Sequence, residues 1–154
     1  MVEYRNKAGE LHREDGPAIE LNDGTTFWFI NGERHREDGP AIEYRNGSTS
    51  WYIHGERHRE DGPAIIGSDG TKAWFLNGQR HREDGPAIIY STGRKCWYIN
   101  GQRHRLDGPA IEHSDGTKYW LINGKSYNTL IDWALAINPD MSKADKVKLV
   151  MAHG

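Results

Sequence analysis

A chain of 154 residues is one domain's worth of protein and too short for two ordinary globular cores. Hydrophobic residues are only 36% and charged residues 27%, and 18 glycines with 6 prolines demand frequent turns. A net charge of −2 argues against a general polyanion binder, no apolar run reaches the roughly 18 residues of a membrane span, and the lone Cys96 excludes internal disulfides and a cysteine-built metal site.

The first residues, MVEYRNKAGE, lack the apolar stretch of a secretory signal, so the expected location is the cytoplasm, with no membrane partner. Self-similarity then dominates the chain. HREDGPAI starts at His12, His35, His58 and His81 and returns as HRLDGPAI at His104, a period of 23. Trp28, Trp51, Trp74, Trp97 and Trp120 keep the same interval, as do Gly24, Gly47, Gly70, Gly93 and Gly116. Residues 1–126 therefore read as a β-hairpin repeat ribbon, with a partial repeat over 1–11 and five repeats over 12–126. Residues 127–154 read as a helical cap.

Within a repeat, residues 17–22 and 25–31 read as two strands joined by Asp23-Gly24, a dipeptide suited to a two-residue type I′ turn. Such a loop sets Phe27 opposite Glu20, Trp28 opposite Ile19 and Phe29 opposite Ala18. One face then carries Ile19, Trp28 and Ile30 and is the expected core. The other carries Ala18, Phe29 and a variable pair, which is Glu20 with Phe27, Glu43 with Ser50, Ile66 with Ala73, Ile89 with Cys96, and Glu112 with Tyr119. One hairpin buries too little to stand alone, so neighbouring repeats supply the missing burial. The expected fold class is mainly β: an elongated antiparallel ribbon of five hairpin repeats with a C-terminal two-helix cap.

After Gly124, the run Leu130, Ile131, Trp133, Ala134, Leu135 and Ile137 reads as a helix that ends before Pro139. Ser142 with Asp145 suits a capping box for a second helix, with Ala144, Val147, Val150 and Met151 on one face. Covering the open end of the ribbon is the simplest role for this segment. The sharper alternative makes Trp133, Leu130, Val147 and Met151 an oligomer surface.

The corners read NGERHREDG, HGERHREDG and NGQRHREDG, and their 23-residue period with DG turns resembles the MORN repeat family, covering about three quarters of the chain. The resemblance is nearer still to HREDGPA-type variants in phage and bacterial proteins, although Trp-aromatic-aliphatic replaces the Tyr-x-Gly strand signature. It implies a hairpin scaffold that binds a partner, carried by a phage and acting on a host or defence protein by occlusion.

The histidine row invites a metal reading, but equivalent residues two strand spacings apart lie about 10 Å from one another, too far to share one ion. No Ser or Cys nucleophile recurs beside the Asp-His pairs, so no catalytic residue is assigned. No metal or cofactor is expected either. The stripe Phe29, Tyr52, Phe75 and Tyr98, with Ile66 and Ile89, is the expected partner-binding surface, or the contact face of a homodimer. A second reading assigns phosphate contact, with nucleotide or nucleic acid, to Arg94, Lys95, Arg103, Arg105 and Lys118 near the end of the ribbon.

Overall fold

The computed structural model describes residues 1–153. Twelve short antiparallel strands follow one another in chain order across the main sheet, so the ladders join adjacent repeats only. In the first full repeat Ile19–Glu20 pairs with Thr26–Phe27, which pairs onward with Ile42–Glu43 of the next repeat. The partial repeat enters the same way, with Val2–Glu3 against Ile19–Glu20. Each repeat adds a second, smaller hairpin at its corner, such as Phe29–Ile30 against Glu33–Arg34. The mainly β ribbon of hairpin repeats with two terminal helices is therefore the observed architecture.

The register differs from the expected one by a single residue. Ile19 lies opposite Phe27, and Glu20 opposite Thr26. The DG loop holds three residues rather than two: the Gly24 N–H donates to the Leu21 carbonyl at 3.0 Å, and the Leu21 N–H donates to the Thr25 carbonyl at 2.9 Å. Only Gly24 has positive φ, at 90°, and the Asp23 carboxylate accepts from the Thr25 N–H at 2.9 Å. This is a type I turn with a glycine bulge, stabilised by the aspartate's preference for bonding its own backbone two residues on. The two-residue turn sits instead at the corner, where Asn31 (φ 49°) and Gly32 (φ 80°) are both left-handed, as type I′ requires.

A one-residue slip moves a strand's side chains to the opposite face. One face, here the Tyr face, collects the Ile19, Phe27 and Phe29 columns. Phe75 and Tyr98 on it, 6% and 8% exposed, belong to the buried cluster of Ala73, Ile88, Cys96, Ile111 and Leu121; Tyr52, 8% exposed, packs with Ala41, Ile42 and Phe27, and Phe29 is half-buried. From Tyr52 to Tyr98 the expected partner-binding stripe is thus core. The other face, the Trp face, carries Trp28, Ile30 and Glu20 with their copies, so Ile66 and Ile89 stand beside the tryptophans and not beside Tyr52 and Phe75. Trp28, Trp51, Trp74 and Trp97, expected as core, are half-buried. Ala18, Ala41, Ala64, Ala87 and Ala110 are fully buried where the first strand of each repeat begins.

The C-terminal helices occupy Leu130–Ile137 (α1) and Lys143–His153 (α2). The Asp145 N–H donates to Ser142 Oγ at 3.1 Å, as the capping box predicts, and a second such cap forms where the Asp132 N–H donates to Thr129 Oγ at 3.0 Å. Trp133 is 3% exposed, 4.7 Å from the Trp120 ring, and its indole N–H donates to the Arg105 carbonyl at 3.2 Å. Leu130 packs against the same cluster. Trp133, buried, and Leu130, half-buried, therefore seal the last repeat, which takes the Trp133 ring out of the expected oligomer surface. The face of α2 that packs inward carries Leu149, next to Met141 from the turn, while Val147 and Met151 stay 51% and 83% exposed. Leu149 has the polar Lys146 and Asp145 one turn before it, and that mixture hides it from an apolar count.

Because its ring lies inside the core, Phe75→Ala is expected to cost about 3–5 kcal/mol in urea unfolding. A loss below about 1 kcal/mol would show that the stripe is an open surface.

Candidate functional site

The corner strand ends at Arg34, and the chain then crosses to the next repeat, the His35 N–H donating to the Trp28 carbonyl at 3.2 Å and the Arg36 N–H to the Tyr52 carbonyl at 3.0 Å. Arg34 lies opposite Phe29 on the Tyr face, 5.7 Å from the Phe29 ring and 5.6 Å from the Tyr52 ring. The pattern continues as Tyr52, Arg57, Phe75, Arg80, Tyr98 and Arg103, with each cation 5.5 to 5.8 Å from its rings. Cation–π contacts of this kind contribute about 0.5–2 kcal/mol each.

Arg36, which strict alternation would leave on the face of Arg34, lies instead on the Trp face because the chain crosses between repeats at this point, and it sits 3.9 Å over the Trp28 ring. Its Nε donates to Asp38 at 2.9 Å, and one terminal nitrogen donates to the Pro40 carbonyl at 3.2 Å and to Glu43 at 2.8 Å. Arg59, Arg82 and Arg105 stack the same way on Trp51, Trp74 and Trp97. Gly39 permits this: a Cβ there would lie 2.8 Å from the Arg36 guanidinium carbon. Each guanidinium holds its aspartate's carboxyl below the ordinary range, first by hydrogen bond and then by charge, at Asp15, Asp38, Asp61 and Asp84. Asp23, Asp69 and Asp115 in the three-residue loops are lowered by the N–H of the threonine two residues on.

The histidine between the two arginines ties one repeat to the next. His35 Nδ1 accepts the backbone N–H of His54 at 3.2 Å, and His12, His58, His81 and His104 accept those of Asn31, Asn77, Asn100 and Asn123 at 3.1 to 3.2 Å. At His58, His81 and His104 the same Nδ1 also lies 2.9, 2.9 and 2.6 Å from the side-chain Oδ1 of Asn77, Asn100 and Asn123, and at the first four corners Nε2 lies 3.6 to 3.7 Å from Glu14, Glu37, Glu60 or Glu83. The fifth corner has Leu106 in place of that glutamate.

These parts frame four equivalent clefts along the Trp face, of about 450, 570, 600 and 620 Å³. Each is walled by two successive corner loops and floored by a tryptophan and an aliphatic residue, with a histidine and two arginines at its sides. In the central one these are Trp74, Leu76, His81, Arg59 and Arg82. The repeats differ at one point beside this floor: Glu43 and Glu112 bond their arginines at 2.8 Å, whereas Ile66 and Ile89 leave Arg59 and Arg82 with only the aspartate and the proline carbonyl. The row is thus charged at its ends and apolar at its middle.

Of the residues expected to contact phosphate, Arg94 and Arg103 share a cavity on the Tyr face. Arg105 lies on the opposite face, bonded to Asp107, Glu112 and the Pro109 carbonyl. Lys95 and Lys118 flank Glu112 on that same face. The five do not form one site. The tryptophan clefts were not assigned from sequence because the tryptophans read as core; their signal was the arginine eight residues after each tryptophan, at stacking reach. Among the described residues no group of His, Cys, Asp and Glu converges as a metal-ligand set, and no helix is long and apolar enough to cross a membrane.

No protein-family model matches this chain, and no curated protein matches it.

Two outcomes are expected. His58→Ala removes the acceptor of the Asn77 N–H and lowers stability by about 1 kcal/mol in urea unfolding; an unchanged midpoint would mean the histidine ties nothing. Carboxyls depressed in the folded state contribute stability that is complete above their unfolded value of about 3.9, and it is lost as pH falls through their lower folded values. The urea midpoint should therefore hold from neutrality to about pH 5 and drop below about pH 4; a profile flat to about pH 2 would contradict the aspartate pairings.

Proposed function

We propose that the chain is a non-catalytic protein-binding scaffold whose Trp face receives an extended segment of a partner protein. The observation that supports it is the repetition itself: one lining, four times in line, at the interval of one repeat. Two strand spacings make that interval about 9.6 Å, and an extended polyproline II segment repeats every three residues and about 9.3 Å. Side chains at i, i+3 and i+6 of such a segment meet successive clefts. No Ser, Thr or Cys lines any of the four, which favours binding over covalent chemistry. The apolar middle around Trp51, Ile66, Trp74 and Ile89, with arginines and carboxylates at the rim, has the anatomy of a protein interface. Occlusion of a host protein, the role implied by the likeness to phage-borne repeats, then works through this face and not through the buried Tyr52, Phe75 and Tyr98.

The double variant Ile66→Glu, Ile89→Glu separates folding from binding, since it installs the residue that other repeats already carry. The thermal midpoint should stay the same or rise, as Arg59 and Arg82 gain the partner that Arg36 has in Glu43. A protein retained from bacterial lysate by the wild-type chain should be lost from the variant. Equal retention by both would remove the Trp face as the binding surface.

A further inference from the structure

The aromatic stripe of the Tyr face ends in a cavity of about 420 Å³ between the fourth and fifth repeats, lined by Arg94, Arg103, His113, Tyr119 and Ser126 over Ile111 and Leu121. Three of these residues break the repeat. Arg94 stands where the other units have Thr25, Ser48, Thr71 and Thr117; His113 stands where they have Leu21, Tyr44, Gly67 and Tyr90; Ser126 stands where they have Arg34, Arg57, Arg80 and Arg103. Thr25, Ser48 and Thr71 use their hydroxyls to accept a backbone N–H from the next repeat, at Arg45, Ser68 and Ser91. Arg94 has no acceptor to offer there, so the exchange gives up a structural bond.

What Arg94 brings instead is a positive charge that no Asp or Glu pairs with among the described residues, its side chain hydrogen-bonding the Cys96 thiol. Its Nε is buried with no hydrogen-bond partner, a costly state for a charged group's donor. The guanidinium lies 5.4 Å from the Tyr90 ring. Arg103 reaches the same cavity with its Nε on the Tyr98 hydroxyl at 3.1 Å, and no carboxylate pairs with it. His113 stands edge-on to Tyr119 with ring centres 5.7 Å apart. No Asp or Glu lines the cavity. The buried Cys96 thiol feels the same field: burial pushes it up while Arg94, Arg103 and Arg80 pull it down. Ser126, being small, leaves open the space that an arginine fills in the earlier repeats.

We infer that the Arg94–Arg103 cavity is a binding site for a small phosphorylated ligand, its phosphate held by the two arginines with His113 and Ser126 and its apolar part on Ile111 and Leu121. Arginine forks match phosphate oxygens, and the volume falls in the range of about 300–1,000 Å³ typical of small-molecule sites. This site lies on the opposite face from the tryptophan clefts and stands or falls independently of them.

The test titrates inorganic phosphate and phenyl phosphate into the full chain, following backbone amides by NMR. Saturable shifts centred on His113, Tyr119 and Ser126 are expected, with phenyl phosphate the tighter of the two. Arg94→Thr, which installs the residue of the first, third and fifth repeats, should keep the fold and weaken both ligands at least tenfold. Ser126→Glu places a carboxylate between the arginines and should weaken them similarly, while Lys95→Thr on the other face should not. Absence of saturable shifts, shifts centred on Lys95 and Arg105, or undiminished binding by both cavity variants would overturn the proposal.

Discussion

Every corner of this protein depends on one constraint, the break in alternation where the Arg-His-Arg segment leaves the corner strand and crosses to the next repeat. Two arginines two residues apart would share a face in a regular strand, but the crossing sends them to opposite faces and leaves the histidine between them at the junction. The first arginine goes to the Tyr face and lies between two rings, the second to the Trp face across an indole, and the histidine to the turn of the following repeat. None of these contacts is large in isolation, since an exposed cation–π contact or hydrogen bond contributes about 1 kcal/mol. Repeated at a fixed interval they close a sheet whose strands are mostly two residues long, too short to persist alone.

The same crossing sorts charge. A net charge of −2 conceals two unlike faces. The second arginine of each corner meets Asp, and at the ends of the row Glu, so the Trp face is nearly balanced. On the Tyr face, the columns of Ile19, Phe27, Phe29 and Arg34 hold no acid in any of the five repeats. Departures from the repeat then become informative, because positions the fold requires stay constant. Ile66 and Ile89 strip the centre of the Trp face of its glutamates, and Arg94, His113 and Ser126 together open a cavity at the end of the other face.

Much of this was legible in the residues. The period, the hairpins, the pairing of adjacent copies, the helical cap and the Ser142–Asp145 box follow from turn residues, spacing and capping chemistry. The faces did not follow, and one residue was the cause. Asp23-Gly24 and Asn31-Gly32 look alike as dipeptides, yet the first closes a three-residue loop and the second a two-residue one. The residue after the glycine does not distinguish them, since its backbone N–H is common to all but proline and the same three-residue loop closes with Ser48 or Arg94 in place of Thr25. With the slip, the aromatic stripe became core and the tryptophan row became the floor of clefts. Trp133 was ambiguous for another reason: a lone apolar helix reads equally well as cap or contact until the Trp120 ring beneath it is in view.

Cross-strand NMR contacts in the isotopically labelled chain test this arrangement most directly. The account predicts that Ile65 faces Ala73 and that the Tyr98 ring contacts the side chains of Arg80 and Arg103. Contacts between Ile65 and Trp74, with a solvent-exposed Tyr98 ring, would restore the two-residue loop and invert both faces.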